Sequence, residues 1–261
     1  MTSLPTPEVI LTHESDLDGF VAGHLLLRLA RRLSGTAPRF EAWNTNAWQQ
    51  RPLREASPPR GARLDRPGWV VVDHHPLLAR PARAQVIHDP AKSAALLCYG
   101  LCREHGLGSP ALDRLVHLTN VGDLFLEEHA DFVEAQDYAA LLKLYPFWGL
   151  SRFLGGELEA LLEHPLLEVV RTRRRVEDPL GLAWSRERIT EVTPGLAVVD
   201  VAVGNANLIV HDLLRERATP HPVLATVAKR GGGWVASFRS RDGTALELAA
   251  KFRGGGHPNA A

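Results

Sequence analysis

The amino-acid sequence predicts an α/β protein in which a larger N-terminal domain with a mostly parallel sheet precedes a smaller α/β domain. Short apolar runs alternate with stretches of helical periodicity, as in sheets whose strands are joined by helices. A charged helical stretch without a strand signal separates two such series. The predicted parts are an N-terminal domain over residues 1–150, a helical connector over residues 151–190, and a C-terminal domain over residues 191–261.

The N-terminal domain is predicted to contain two strands and three helices. Residues 8–12 (EVILT) are a short apolar run, and residues 68–73 (GWVVVD) contain three consecutive valines, which suit a strand buried on both faces. Residues 19–32 show helical periodicity in their apolar side chains. Residues 93–105 and 110–121 are expected to be helices, because a serine and a Ser-Pro pair are typical helix starts.

The C-terminal domain is predicted to follow a connector that is helical and rich in arginine. No strand signal occurs there before LAVVDVAV, which begins at Leu196. A glycine turn at residues 231–233 is expected to join two strands of a hairpin. The predicted elements of this domain are strands over residues 196–203, 223–229 and 234–240 and helices over residues 205–217 and 246–252.

Composition and charge limit the classes of function. The 261 residues carry 30 Lys and Arg against 30 Asp and Glu, so no global basic field attracts long nucleic acids. The only cysteines, Cys98 and Cys102, fall on one face of a predicted helix and are expected to be reduced core thiols. The N-terminus lacks a basic segment followed by a long apolar run, so we expect no membrane association and a cytoplasmic location.

Polar residues with metal-binding chemistry follow the first predicted strand. His13, Asp16 and Asp18 precede a helix, at the sheet edge where α/β proteins present functional groups. Neighbouring carboxylates repel unless a cation offsets their charge, and a mixed His and Asp set suits Mn²⁺ or a similar metal. The alternative is that the two aspartates only cap the helix and stabilise the turn before Gly19.

Two adjacent histidines, His74 and His75, leave the second predicted strand directly after Asp73. One imidazole of such a pair can point into a site beside the first loop, although adjacent histidines are more often surface residues. Asp123, in NVGDLF, lies at the end of a helical stretch, where an isolated aspartate is more often a cap or turn residue than a ligand. Together, the two strand ends favour a metal site over these alternatives.

The C-terminal segment contains features suited to an anion. The sequence RGGGHPNAA places glycines beside His257, so backbone N–H groups around Gly255 and Gly256 can approach a phosphate. Arg239 and Ser240 end a predicted strand, and the planar guanidinium suits phosphate, although an exposed arginine is usually a solvated surface group. These residues predict a phosphate-binding segment.

The motifs THESDLDG, VVDHH, NVGDLF and RGGGHPNAA occur in the order seen in DHH phosphoesterases that carry a DHH-associated C-terminal domain. The chain resembles this family over nearly its whole length. The resemblance implies an active-site cleft between a DHH domain and the C-terminal domain. It also implies phosphoester hydrolysis with two Mn²⁺ ions, for which Mg²⁺ or Co²⁺ could substitute.

The resemblance also implies a role for each motif residue. One Mn²⁺ would be bound by His13 and Asp16, and the other by Asp18, His74 and Asp123. His75 would be the catalytic residue that contacts the scissile phosphate, with Asp73 supporting it. The substrate would be bound by Arg239, Ser240, Gly255, Gly256 and His257.

Two features depart from the family pattern. The family supplies a further aspartate that bridges both metals from a strand before VVDHH, and Asp65 is the only aspartate between Asp18 and Asp73. Asp65 lies in a Pro- and Arg-rich stretch, residues 51–67, without the apolar run of a buried strand, so it is a doubtful metal ligand. The chain also stops at Ala261 inside a motif that the family continues with glycine, so the terminal strand is expected to be absent or trimmed.

We expect hydrolysis of short oligoribonucleotides or of a nucleoside 3′,5′-bisphosphate, because compact members of the family act on such substrates and the chain has no net charge. One alternative is an exonuclease on longer single-stranded DNA, which would require a basic groove lined with aromatic residues. The other is a catalytically impaired family member that binds nucleotides. Both a monomer and a homodimer are open alternatives.

Overall fold

The structure, a computed structural model, describes residues 4–43, 65–75, 77, 80–230, 233–252 and 254–261. It has the predicted α/β fold and divides into two compact units, Met1–Val170 and Arg171–Ala261. The first unit therefore takes in residues 151–170 of the stretch predicted to be a connector. Within the ranges that the structure describes, no helix combines the length and the apolar character needed to cross a bilayer.

The first unit begins with two parallel strands and the helix that joins them. Strand β1 is Val9–His13, helix α1 is Leu17–Ser34 and strand β2 is Arg39–Trp43. The strands pair in register, with His13 opposite Trp43, so both end at the same edge. This strand-helix-strand order is the crossover that a parallel pair requires.

A second pair of parallel strands and two helices follow. Strand β3 is Val70–Asp73 and strand β4 is Gln85–His88, and they pair over their full length. Helix α2 is Ala94–Glu104 and helix α3 is Pro110–Asp123. Each helix is preceded by a serine whose side chain accepts a backbone N–H from the first turn, as the sequence predicts.

The remaining elements that begin in the first unit are helical. They are α4 (Phe132–Leu144), α5 (Phe147–Leu154), a 3-10 helix (Leu158–Glu163) and α6 (Pro165–Arg186). One hydrophobic core joins residues of α1 to α6, and its fully buried side chains include Phe20, Leu25, Leu112, Leu115, Tyr138, Leu141 and Leu161. This core fixes α1, α2 and α3, the helices whose ends carry the polar residues described below.

The second unit contains one four-stranded sheet in the order β5-β6-β7-β8. Strands β6 and β7 are parallel and joined through a helix, whereas β5–β6 and β7–β8 are antiparallel. Its elements are β5 (Ile189–Thr193), β6 (Leu196–Val199), α7 (Ala206–Arg215), β7 (Val223–Arg230), β8 (Gly233–Ser240) and α8 (Ala245–Lys251). After α8 the chain returns along β8, where Phe238 and Ala261 exchange backbone hydrogen bonds of 2.7 and 3.0 Å.

Three strands were not predicted from the sequence. β2 (RFEAW) and β4 (QVIH) mix polar and apolar residues over a few positions, so neither shows the apolar run expected of a buried strand. β5 was missed because ITEVT is largely exposed and lacks an apolar face, so the expectation that no strand precedes Leu196 is wrong. The strand predicted over residues 196–203 is shorter and ends at Val199.

Candidate metal centre

The loop after β1 places a carboxylate at the start of α1. Oδ1 of Asp16 accepts a hydrogen bond from the backbone N–H of Gly19 at 2.9 Å. Oδ2 of the same residue lies 3.3 Å from Nδ1 of His13. A Cβ atom at Gly19 would collide with the carbonyl of His13, so the close approach requires glycine. Asp16 therefore caps the helix, as expected from the alternative to a metal-binding role. Its other carboxylate oxygen faces His13.

Asp18 is almost fully buried, with 2% of its surface exposed. Its Oδ1 accepts a hydrogen bond from the N–H of Ala95 at 2.7 Å, and its Oδ2 accepts one from Ala94 at 3.1 Å. These donors are the first two residues of α2. Burial raises the pKa of Asp18, and the hydrogen bond from Ala95 acts against this effect. The positive end of α2 thus partly offsets the effect of burial on this carboxylate.

β3 ends at Asp73, whose carboxylate organises the two histidines that follow. Oδ1 of Asp73 accepts hydrogen bonds from the backbone N–H of His74 at 2.7 Å and of His75 at 3.0 Å. It also lies 3.0 Å from Nδ1 of His75. Burial on its own would raise the pKa of Asp73, but the hydrogen bonds from His75 and His74 outweigh it and lower the pKa to about 2. The hydrogen bond with Asp73 in turn raises the pKa of His75.

His74 lies between two carboxylates that come from other elements. Its Nε2 is 3.2 Å from Oδ2 of Asp123 and 4.0 Å from Oδ2 of Asp18. Burial, followed by the charges of Asp18 and Asp16, raises the pKa of Asp123 to about 9. Oδ2 of Asp123 is buried and accepts no hydrogen bond from the described residues. One donor atom from each of the three residues lies within 4.8 Å of the others, and we call Asp18, His74 and Asp123 the trio.

The trio fits a divalent cation. A buried carboxylate, a partly exposed one and a buried imidazole lie within reach of a single ion, which would offset the charge that makes their burial unfavourable. Nitrogen and carboxylate oxygen donors without thiolate suit Mn²⁺ and related metals. His13 and Asp16 form a separate pair beside this set. The structure therefore brings the predicted ligands into one trio and one pair.

Asp65 is not brought to these residues. Its Oδ1 accepts hydrogen bonds from the backbone N–H groups of Arg83 and Ala84, the two residues before β4. The hydrogen bond from Arg83 lowers the pKa of Asp65. Within the described ranges, Asp65 belongs to neither group of three metal-binding side chains. Its carboxylate supports the start of β4, so its position does not support the doubtful metal role predicted for it.

A second group of donor side chains, His117, His129 and Asp131, was not predicted. Nε2 of His117 lies 2.9 Å from Oδ2 of Asp131, and the two imidazole rings are 4.9 Å apart. Arg114 contacts both oxygens of Asp131, at 2.7 and 3.2 Å, and together with His117 lowers its pKa to about 2. Because an arginine already supplies the positive charge, we assign this group to an ion-pair network. No strand end marks these residues in the sequence, which is why the pattern did not reveal them.

The predicted phosphate-binding residues of the second unit lie where β8 meets the C-terminal segment. Burial lowers the pKa of Arg239, on β8, to about 10. Ser240 is used by the fold itself, because its Oγ donates to the carbonyl of Pro258 at 3.2 Å and accepts the N–H of Ala245 at 3.1 Å. An isolated bridge links Arg239 to Ala260. Arg239 is half-buried and its phosphate-binding role stays a prediction, whereas Ser240 has a structural partner on each side.

The glycine segment makes a tight turn. Gly255 is exposed, and Gly256 has a φ of 142°, a conformation that L side chains rarely adopt. A Cβ atom at Gly256 would lie 2.5 Å from the carbonyl oxygen of Ala260. The backbone N–H of His257 donates to Ala260 at 2.8 Å and the N–H of Ala260 donates back at 3.1 Å. Gly256 is thus required by the turn that presents Gly255 and His257.

No family model and no curated protein sequence matches this chain. Among solved structures, a pGpG-specific phosphodiesterase from Vibrio cholerae is 14% identical, with a TM-score of 0.40, over 98% of this chain and 91% of that one. An exopolyphosphatase-related protein from Bacteroides fragilis is 14% identical, with a TM-score of 0.48, over 98% of this chain and 86% of that one. An uncharacterized protein from Helicobacter pylori is 14% identical, with a TM-score of 0.29, over 97% and 91%. Because these TM-scores lie below 0.5, the function has to be inferred from the site itself.

Proposed function

We propose that this chain is a metal-dependent phosphoesterase that hydrolyses short oligoribonucleotides or a nucleoside 3′,5′-bisphosphate. The observation that carries the proposal is the meeting of two carboxylates, buried Asp18 and largely enclosed Asp123, at His74, with the pKa of Asp123 raised to about 9. Clustered carboxylates with perturbed pKa values are typical of functional sites, since a stable fold gains nothing from burying them. The order of motifs that resembles DHH phosphoesterases supports the same reaction class.

The metal would be Mn²⁺, held by the trio and, for a second ion, by His13 with Asp16. When bound, it would supply positive charge that offsets the carboxylates and stabilises negative charge developing on a phosphoryl group. The chain contributes the geometry: the core fixes α1 and α3, and the start of α2 fixes Asp18. The donors are therefore preorganised before any cation arrives.

His75 is the residue best suited to contact the phosphate. Its side chain is 49% exposed, whereas that of the neighbouring His74 is 2% exposed. Asp73 holds the His75 ring at Nδ1 and raises its pKa, which favours the protonated imidazole. Its Nε2–H can then donate a hydrogen bond to a phosphate oxygen and stabilise its charge.

A small substrate is favoured by charge. The chain has a formal net charge of zero, and long nucleic acids are generally held by many basic phosphate contacts. A second candidate function is nucleotide binding with little hydrolysis. The observation that favours it is the position of Asp65, because the only aspartate between Asp18 and Asp73 in the sequence is bound to the start of β4 and not to the trio.

Hydrolysis of a ribodinucleotide and of a nucleoside 3′,5′-bisphosphate by the full chain, with Mn²⁺ or with EDTA, tests the proposal. We expect Mn²⁺-dependent turnover that His74→Ala abolishes, since the substitution removes one of three donors. His129→Ala is the matched control, because it removes a histidine whose carboxylate neighbour already has Arg114, and it should retain activity. Metal-independent nucleotide binding without turnover would instead support the binding function.

A further inference from the structure

Every backbone N–H in the first turn of α2 has an acceptor, and two of these acceptors belong to the metal centre. The N–H groups of Ala94 and Ala95 donate to the carboxylate of Asp18, at 3.1 and 2.7 Å. Those of the next two residues donate to the side chain and to the carbonyl of Ser93, at 3.3 and 3.1 Å. Any displacement of the start of α2 would therefore move the donors that hold Asp18.

The start of α2 is fixed in turn by Asn120. The N–H of Ser93, a residue with 0% of its surface exposed, donates to Oδ1 of Asn120 at 2.8 Å. Asn120 lies on α3, the helix that ends at Asp123. One turn of helix separates the two residues, so their relative position is fixed by the helical backbone. α3 thus carries one carboxylate of the trio and locates the other through Asn120.

We infer that Asn120 is a positioning residue of the metal centre, which sets the separation between the carboxylates of Asp18 and Asp123 without binding the cation itself. This inference rests on the proposed function, because it assumes that the trio binds a cation. Neither Ser93 nor Asn120 has a metal-binding role in the sequence motifs. Ser93 hydrogen-bonds Asp18 through its side chain, and the hydrogen bond from its backbone N–H to Asn120 links α3 to the start of α2.

Asn120→Ala would leave the N–H of Ser93 buried without its acceptor. A buried donor without a partner is unfavourable enough to displace the backbone that carries it. The start of α2 and the Asp18 carboxylate would move together, because they share two hydrogen bonds. Substitution of a residue that orients a metal ligand typically lowers metal affinity about 10–100-fold. We therefore expect Asn120→Ala to bind Mn²⁺ about 10–100-fold more weakly.

Titration of the full-length chain with Mn²⁺, with free Mn²⁺ measured by electron paramagnetic resonance, tests this inference. Asn120→Asp keeps an oxygen acceptor for Ser93 and is expected to recover most of the lost affinity. Thr119→Val is the matched control, because it removes a buried hydrogen bond from the adjacent position of α3, to the carbonyl of Leu115, without touching the trio. Circular dichroism and thermal melting establish that each variant is folded.

The outcomes separate the inference from the proposed function. If wild-type protein does not bind Mn²⁺, the proposed metal centre is wrong. If wild-type binds and folded Asn120→Ala binds equally well, only the positioning role is refuted. It is refuted equally if Thr119→Val weakens binding as much as Asn120→Ala, or if Asn120→Asp recovers nothing.

Discussion

Asp123→Asn should gain stability relative to the metal-free wild-type protein as the pH rises from 5 to 7. Burial and neighbouring charges raise the pKa of Asp123 from 3.8 to about 9, so the folded protein keeps a proton that the unfolded chain has lost by pH 7. When the folded state binds more protons, stability falls as the pH rises, here through the window from 3.8 to about 9. Each pH unit contributes about 1.4 kcal/mol, so the wild-type protein loses up to about 3 kcal/mol between pH 5 and pH 7 through this carboxyl.

The asparagine removes this pH-dependent loss but leaves an amide in a buried position, which costs about 1–3 kcal/mol at every pH. The change in the stability difference with pH is therefore the informative quantity. Urea unfolding of both proteins in EDTA at pH 5, 6 and 7 measures it, and we expect the difference to shift in favour of Asp123→Asn by up to about 3 kcal/mol. Asp113→Asn, an exposed carboxylate of α3, is the control.

Added Mn²⁺ should reverse the order of stability. A cation that binds the folded wild-type protein stabilises it by mass action, whereas Asp123→Asn has lost one of the donors and should gain less. The reasoning fails if the stability difference in EDTA stays constant, within about 0.5 kcal/mol, across the three pH values. A larger gain from Mn²⁺ in Asp123→Asn than in wild-type protein would contradict the metal centre as well.

Two further predictions concern other parts of the chain. Burial lowers the pKa of His24 below 6.5, so its contribution to stability is complete above pH 6.5 and is lost as the pH falls. The urea midpoint of wild-type protein should therefore drop relative to that of His24→Phe between pH 7 and pH 5, and parallel curves would contradict this. Gly256→Ala should displace the C-terminal turn and lower kcat/KM by up to about 100-fold with unchanged Mn²⁺ affinity. The prediction is wrong if Gly256→Ala leaves kcat/KM unchanged and weakens Mn²⁺ binding.

The sequence predicted the elements whose patterns are local. The valines of β3, the periodic apolar residues of α1 and the serine caps of α2 and α3 each identify an element without reference to the rest of the chain. β2 and β4 could not be identified in this way, since a four- or five-residue strand of mixed polarity is recognised only through its partner. Residues 44–64, which hold most of the Pro- and Arg-rich stretch, lie outside the described residues.

The donor side chains of the candidate site could be predicted from the sequence, but the residues that hold them in place could not. The end of the second predicted strand indicated His74, whereas a metal role for Asp123 was implied only by the family resemblance. The residues themselves left the choice between a cap and a ligand open for Asp16 and Asp18. The structure shows why this choice had no answer in the sequence: Asp18 accepts hydrogen bonds from residues 76 and 77 positions away. Asn120 acts through Ser93 over 27 positions, and no local pattern contains such a contact.

The hydrogen bonds from Ala94 and Ala95 to Asp18 also provide a built-in spectroscopic reporter. An amide proton shifts when the charge on its acceptor changes, so these two resonances should respond to any cation that binds the carboxylate. Neither alanine offers a side-chain donor to a metal, and neither needs to be replaced to be observed. Titration of ¹⁵N-labelled protein with diamagnetic Mg²⁺ would therefore follow occupancy of the centre in wild-type protein, independently of substrate and of turnover.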